Sequence, residues 1–142
     1  MKQPSQYTPE VQPSVRLLEC KFHDVVFHVS QDHDDNSLAN SLQVKLDFSP
    51  VAKVDTENIV IIKFQIEILS SDDALKLNCS ISAMFETKGI EKVELTTHSL
   101  ILNNSPAIVF PYLRSFISTL TLQAGYAPIT LPSYNFTKLT KA

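Results

Sequence analysis

Between Leu42 and Lys88 apolar and polar side chains alternate with few breaks. LQVKLDF puts Leu42, Val44, Leu46 and Phe48 on one side and Gln43, Lys45 and Asp47 on the other. In ENIVIIKFQIEIL, Val60, Ile62, Phe64, Ile66 and Ile68 form one face, opposite Ile59, Ile61, Lys63, Gln65 and Glu67. LKLNCSISAMFETK sets Leu75, Leu77, Cys79, Ile81, Ala83 and Phe85 against Lys76, Asn78, Ser80, Ser82 and Glu86. A period of two marks strands that bury one face. Ser49–Pro50 is expected to end the first strand, and SSDDA to turn between the last two. The links between these strands do not resemble a crossover helix, so the sheet is expected to be antiparallel, apolar on one face and wet on the other.

Two segments break this pattern. VRLLECKFHDVVFHV, from Val15 to Val29, is a strand whose faces do not sort. Leu18, Cys20, Phe22 and Val26 share one parity, and Leu17, Val25, Phe27 and Val29 the other. Such a strand is expected to be covered on both sides, by core or by a partner chain. SPAIVFPYLRSFISTLTLQAGYAP switches to helical spacing, with Val109, Leu113, Phe116, Ile117, Leu120 and Ala124 on one stripe. Ser105 is the expected N-cap, Pro106 the first helical residue and Gly125 the C′ residue. Pro111 is expected to kink the helix or mark a second start. This helix would cover the apolar face of the sheet. YAPITLPSYNF reads as an extended surface segment, and KVELTTHSLIL suits a short helix or an edge strand. The fold class is therefore α+β, four antiparallel strands and a long helix in the C-terminal half. Residues 1–14, with Pro4, Pro9 and Pro13, read as a loose leader, and 15–142 as a single domain.

Bulk properties narrow the function. The length of 142 residues, with 44% hydrophobic side chains, suits one folded domain. A net charge of −3 without a basic run argues against nucleic acid as ligand. The N-terminal MKQPSQYTPEVQPSV has no apolar stretch of signal type, and no run approaches the ~20 apolar residues of a membrane span, so a cytoplasmic address is expected. The chain has 2 glycines, Gly89 and Gly125, too few for a phosphate-cradling loop.

Catalytic and metal chemistry is sparse. His23 and His28 fall on opposite strand faces by spacing. Asp32, His33, Asp34 and Asp35 open like a calcium loop, but Ser37 and Gln43 occupy the positions that need glycine and glutamate. A solvated loop is the better reading, and no metal site is expected. Cys20 or Cys79 with His98 is a conceivable nucleophile–base pair, yet both cysteines lie in strand patterns as core. No cofactor and no enzymatic activity are expected. The aromatic run Phe110, Tyr112, Phe116, Tyr126, Tyr134 and Phe136 suits either a packed core or the wall of a groove for a partner polypeptide.

Phe110-Pro111-Tyr112-Leu113-Arg114, then Ile117, Gly125, Pro128, Leu131 and Asn135-Phe136, resembles the C-terminal half of the SecB family of protein-export chaperones. Asp24-Val25-Val26-Phe27 resembles the family's first strand, and Met84-Phe85 with Gly89-Ile90 its fourth strand and following turn. The match covers residues 15–136. The resemblance implies an ATP-independent holdase that binds unfolded preproteins and hands them to the motor SecA. It further implies a homotetramer, a dimer of dimers in which first strands pair at one interface and long helices at the other. Leu42, Val44, Leu46, Tyr126, Ile129, Leu131, Tyr134 and Phe136 are the expected client-binding groove, and Asp24 the expected SecA-facing residue. His28 stands where the family carries a glutamate, and only TKLTKA follows Phe136 in place of a last helix and acidic tail. SecB-like chaperones also serve toxin–antitoxin pairs, which is one alternative role. A small oligomeric ligand- or metal-binding protein is another.

Overall fold

The structure is a computed structural model and describes residues 12–30, 42–53 and 56–136. The expected leader up to residue 11, the Asp32–Asp35 loop and the TKLTKA tail lie outside the described residues. Four strands form one antiparallel sheet: β1 (Ser14–Val29), β2 (Leu42–Ala52), β3 (Ile59–Ser70) and β4 (Leu75–Lys88), in the order β1-β4-β3-β2. A 3-10 turn (Lys92–Glu94) and a π-turn (Leu100–Asn104) lead into the helix α1 (Ser105–Gln123). The fold is α+β, as the pattern predicted.

The alternation of β3 and β4 becomes burial directly. Val60, Ile62, Phe64, Ile66 and Ile68 meet Leu75, Leu77, Cys79, Ile81, Ala83 and Phe85 on one face, all nearly inaccessible to water. At roughly 1.5–3 kcal/mol for each large apolar side chain buried, this face is the main source of stability. The β3–β4 turn is held by Asp72, whose carboxylate accepts from the Ser70 hydroxyl at 2.6 Å and the Ala74 amide at 3.1 Å.

Within one chain, strand β1 sorts its apolar side chains between a core face and an open face. Its register slips twice, between Leu17 and Glu19 and between His23 and Val26. Each slip is a bulge, an extra residue that shifts side-chain parity by one. As a result Val15, Leu17, Cys20, Phe22, Phe27 and Val29 all pack on the core. Leu18, Val25 and Val26 are left on the water side, between 41% and 51% exposed. Asp24 occupies the second bulge with φ +54°. Aspartate is among the few non-glycine residues that tolerate this left-handed conformation.

Two boundaries differ from expectation. β2 runs through Ser49–Pro50 to Ala52, with Pro50 opposite Ile62. β2 is a sheet edge, and the outward side of an edge strand has no ladder bond for a proline to break. The helical run also starts before Ser105. The Leu100 amide donates to Nδ1 of His98 at 3.1 Å, and the Ser105 hydroxyl donates back to the Leu100 carbonyl at 3.3 Å. Ser105 is therefore buried inside the run rather than capping it. The ambiguous stretch before it forms helical turns, not an edge strand.

Pro111 sits within α1, which continues through it, so no second start occurs. Its ring deprives the Ala107 carbonyl of an amide donor, and Ala107 is exposed, so water can take that place. The C-terminus follows the expectation. Gly125 has φ +100°, its amide donates to Leu122 at 3.0 Å, and the Tyr126 amide donates to Thr121 at 3.1 Å. This is a Schellman closure, which turns the chain back across the sheet.

Candidate functional site

The apolar face of the sheet has two covers. Helix α1 lies over β1 and β4, where Phe116 stacks on Phe22 with ring centroids 4.2 Å apart. Its buried stripe is Val109, Phe110, Leu113, Ile117 and Thr121, whereas Ala124, expected on that stripe, is exposed. The segment 126–136 returns over β3 and β2. It forms no regular strand, but Ile129, Leu131 and Phe136 are buried, so it belongs to the core and does not simply lie on the surface.

Thr121 joins the two covers. Its hydroxyl donates to the Ile117 carbonyl at 2.9 Å and accepts the Ile129 amide at 3.0 Å. At the other end an aromatic cluster closes the contact. Phe136 packs edge-on against Phe48 at 5.8 Å, Phe64 at 6.4 Å and Phe110 at 5.7 Å, and Phe110 meets Tyr134 at 5.5 Å. Edge-to-face geometry at these separations is the favoured one for aromatic pairs.

Between the start of β2 and this segment an open groove of about 420 Å³ remains. Leu42, Val44, Ile129, Thr130, Leu131, Pro132 and Tyr134 line it. Leu42, Val44 and Tyr134 are half-buried and form its accessible apolar walls. Burial pushes the Tyr134 hydroxyl above its ordinary pKa, so it stays a neutral donor through physiological pH. The groove carries no charged side chain, and its surface mixes the apolar parts of Leu42, Val44 and Tyr134 with polar groups.

The eight groove residues expected from the sequence divide three ways. Leu42, Val44 and Tyr134 form the accessible walls of the groove, and Ile129 and Leu131 line it as buried residues, 7% and 0% exposed. Leu46 and Phe136 are core, each 6% exposed. Tyr126 lies at the helix C-terminus against Phe27 of β1, 6.0 Å centroid to centroid. Thr121 escaped the sequence reading, and Phe48 was read as one of the apolar face of its strand but not as part of the site. Thr121 had one signal, a polar residue standing in the apolar helical register.

The conceivable nucleophile has the wrong electrostatics. Burial pushes the Cys79 thiol up to about 11 and raises Cys20 as well. A nucleophilic cysteine needs the opposite shift. His98 Nδ1 is already engaged by the Leu100 amide. Among the described residues no group of three or more His, Cys, Asp or Glu could hold a metal ion. No helix among them is long and apolar enough to cross a membrane.

A four-stranded antiparallel sheet covered by one long helix and an extended return is a SecB-like fold. The chain belongs to the SecB family: the family profile described as "Preprotein translocase subunit SecB" matches residues 8–142. The protein-export protein SecB of Saccharophagus degradans is 30% identical over 87 residues, covering 60% of this chain and 51% of that protein. The SecB of Ruegeria pomeroyi is 25% identical over 119 residues, covering 84% of this chain and 63% of that protein. The chain thus spans between about half and under two thirds of the length of these relatives. Among solved structures, a Mycobacterium tuberculosis SecB-like chaperone in complex with an antitoxin peptide superposes with a TM-score of 0.62 at 17% identity, covering 84% of this chain and 89% of that one. That likeness bears on the fold.

Proposed function

We propose that this protein is an ATP-independent, non-enzymatic holdase of the cytoplasm that keeps unfolded preproteins competent for export. The observation that carries the reading is the groove between Leu42 and Val44 on one side and Ile129, Leu131 and Tyr134 on the other. An uncharged groove with apolar side chains in its walls and polar groups for an extended backbone accepts segments of many sequences. Tyr126 would extend that surface beyond the helix end, and Leu46 and Phe136 would support the groove from beneath.

The working form is a homotetramer. Two apolar surfaces support this reading. Leu18, Val25 and Val26 project from the edge strand β1, and Ile108, Tyr112 and Leu122 share the solvent face of α1, each at least 37% exposed. Pairing first strands and packing helices would bury both. Asp24, exposed at the β1 bulge, is the candidate contact to SecA.

The test is light scattering while a chemically unfolded, slow-folding precursor is diluted into buffer without nucleotide. Near-stoichiometric protein is expected to suppress aggregation, and Val44→Asp with Tyr134→Asp to abolish suppression while the protein stays folded. Full suppression by that folded double variant would sink the groove assignment. The solved relative of this fold holds an antitoxin peptide. A client preference for an antitoxin segment over preproteins would therefore move the role from export to toxin–antitoxin control.

A further inference from the structure

The segment 126–136 is fastened unevenly. At its start the Schellman closure ties Gly125 and Tyr126 to α1. At its end Phe136 sits among Phe48, Phe64 and Phe110. The arch between them, Ala127 to Tyr134, passes over β3 and β2 without joining the sheet. Among the described residues its one hydrogen bond runs from the Ile129 amide to the Thr121 hydroxyl at 3.0 Å. Pro128 and Pro132 bring no donor at all.

The burial of the arch is equally thin. Ile129 and Leu131 are buried and Tyr134 is half-buried, whereas Ala127, Pro128, Thr130, Pro132 and Ser133 are exposed. Leu131 also carries a penalty. It is 0% exposed, yet among the described residues neither its N–H nor its C=O finds a partner. A buried main-chain group without a partner costs free energy, and water restores the bond once the group is uncovered. Lifting the arch thus gives up two buried side chains and one hydrogen bond, and regains bonds to water at Leu131. By contrast, β3 and β4 are held by a continuous ladder and by side chains closed to water. A segment with few buried contacts and few main-chain bonds opens well below the free energy of global unfolding. Gly125 supplies the hinge, with φ +100° and open space where a side chain would stand.

We propose that residues 127–134 form a lid, latched by Thr121, that opens while the sheet and α1 stay folded. Opening uncovers Leu46, which stands between Val44 and Phe48 on the same face of β2. The groove of about 420 Å³ is thereby extended along the strand. An extended apolar client segment enters there, taking the place of Ile129 and Leu131. The client step rests on the holdase reading; the opening of the lid does not.

The first arm of the test follows amide hydrogen exchange in the whole protein by NMR, without client, at rising urea below the unfolding transition. The Ile129 and Leu131 amides are expected to exchange at least about a hundredfold faster than those of Ile62 and Leu77, and with little urea dependence, because little surface is exposed when the lid opens. One rate and one urea slope for all four amides would overturn the lid. Thr121→Val removes the latch and should speed exchange at Ile129 and Leu131 about tenfold, with Thr121→Ser near wild type. Circular dichroism confirms that both variants are folded. Unchanged exchange in folded Thr121→Val would overturn the latch. The second arm times the capture of a fluorescently labelled unfolded precursor by stopped flow. Thr121→Val is expected to capture it about tenfold faster, because the open form is more populated. Equal capture rates despite faster exchange would overturn entry beneath the lid. Absence of capture by every protein, wild type included, would sink the holdase reading, and the exchange arm would still decide the lid.

Discussion

The Thr121 hydroxyl and the Ile129 amide meet at 3.0 Å in a site closed to water, eight residues apart in sequence. One side chain thereby couples the last turn of α1 to the strap that crosses β3 and β2. The same hydroxyl donates to the Ile117 carbonyl, so both its donor and its acceptor are used. Thr121→Val keeps the shape and removes the acceptor, leaving the buried Ile129 amide unpaired. A destabilisation of about 1–3 kcal/mol is expected in urea unfolding, with Thr121→Ser largely rescuing it. Undiminished stability in Thr121→Val would mean the strap is held by its apolar contacts alone.

The groove residues should separate by depth. Leu46→Ala and Phe136→Ala remove buried side chains and are expected to cost about 2–5 kcal/mol each. Leu42→Ala and Val44→Ala, at the half-buried wall, should cost under about 2 kcal/mol yet weaken client holding. Parallel urea titrations and aggregation assays on the four variants check this. A deeper stability loss at Leu42 than at Phe136 would contradict the placement.

Asp24 carries two readings that one substitution pair distinguishes. Its φ of +54° holds the bulge that turns Phe27 and Val29 inward. Asp24→Gly is expected to preserve or slightly raise stability, whereas β-branched Asp24→Val should lose about 1–2 kcal/mol through left-handed strain. If Asp24 also contacts SecA, Asp24→Gly will weaken that binding in a fully stable protein. Surface plasmon resonance with SecA reads this out.

Cys79 predicts an alkaline limit. Its thiol rises from the ordinary 9.0 to about 11 because burial penalises the thiolate. The folded state therefore holds this proton more tightly than the unfolded chain. The contribution is complete below pH 9 and is lost as pH rises from 9 to 11, up to about 2 kcal/mol. Cys79→Ala should flatten the stability profile across that window, though its cavity lowers stability at every pH. In native protein at pH 8, Cys79 should react with a thiol reagent only on unfolding. Rapid labelling would place it at the surface.

Much of the fold was legible along the chain. Period-two alternation in β3 and β4 passed straight into burial, since each strand lies between two neighbours with one face covered. The helix was legible from its period and from Gly125, whose φ of +100° few other residues would accept. The apolar density of the segment after Gly125 also stood out, and three of its residues, Ile129, Leu131 and Tyr134, line the groove with Leu42 and Val44. Local chemistry alone decides such features: side-chain periodicity, turn preference and a glycine where the backbone turns left-handed.

Tertiary structure decided what depends on distant neighbours. Which apolar residues of β1 face the core was decided by two bulges, and a bulge exists only relative to the strand it pairs with. Pro50 reads as a strand end unless β2 is known to be a sheet edge. Leu46, Phe136, Leu42 and Val44 share one apolar character, and only packing against the returning strap makes the first two core and the last two groove wall. Thr121 gains its role only when the chain folds the Ile129 amide back onto its hydroxyl.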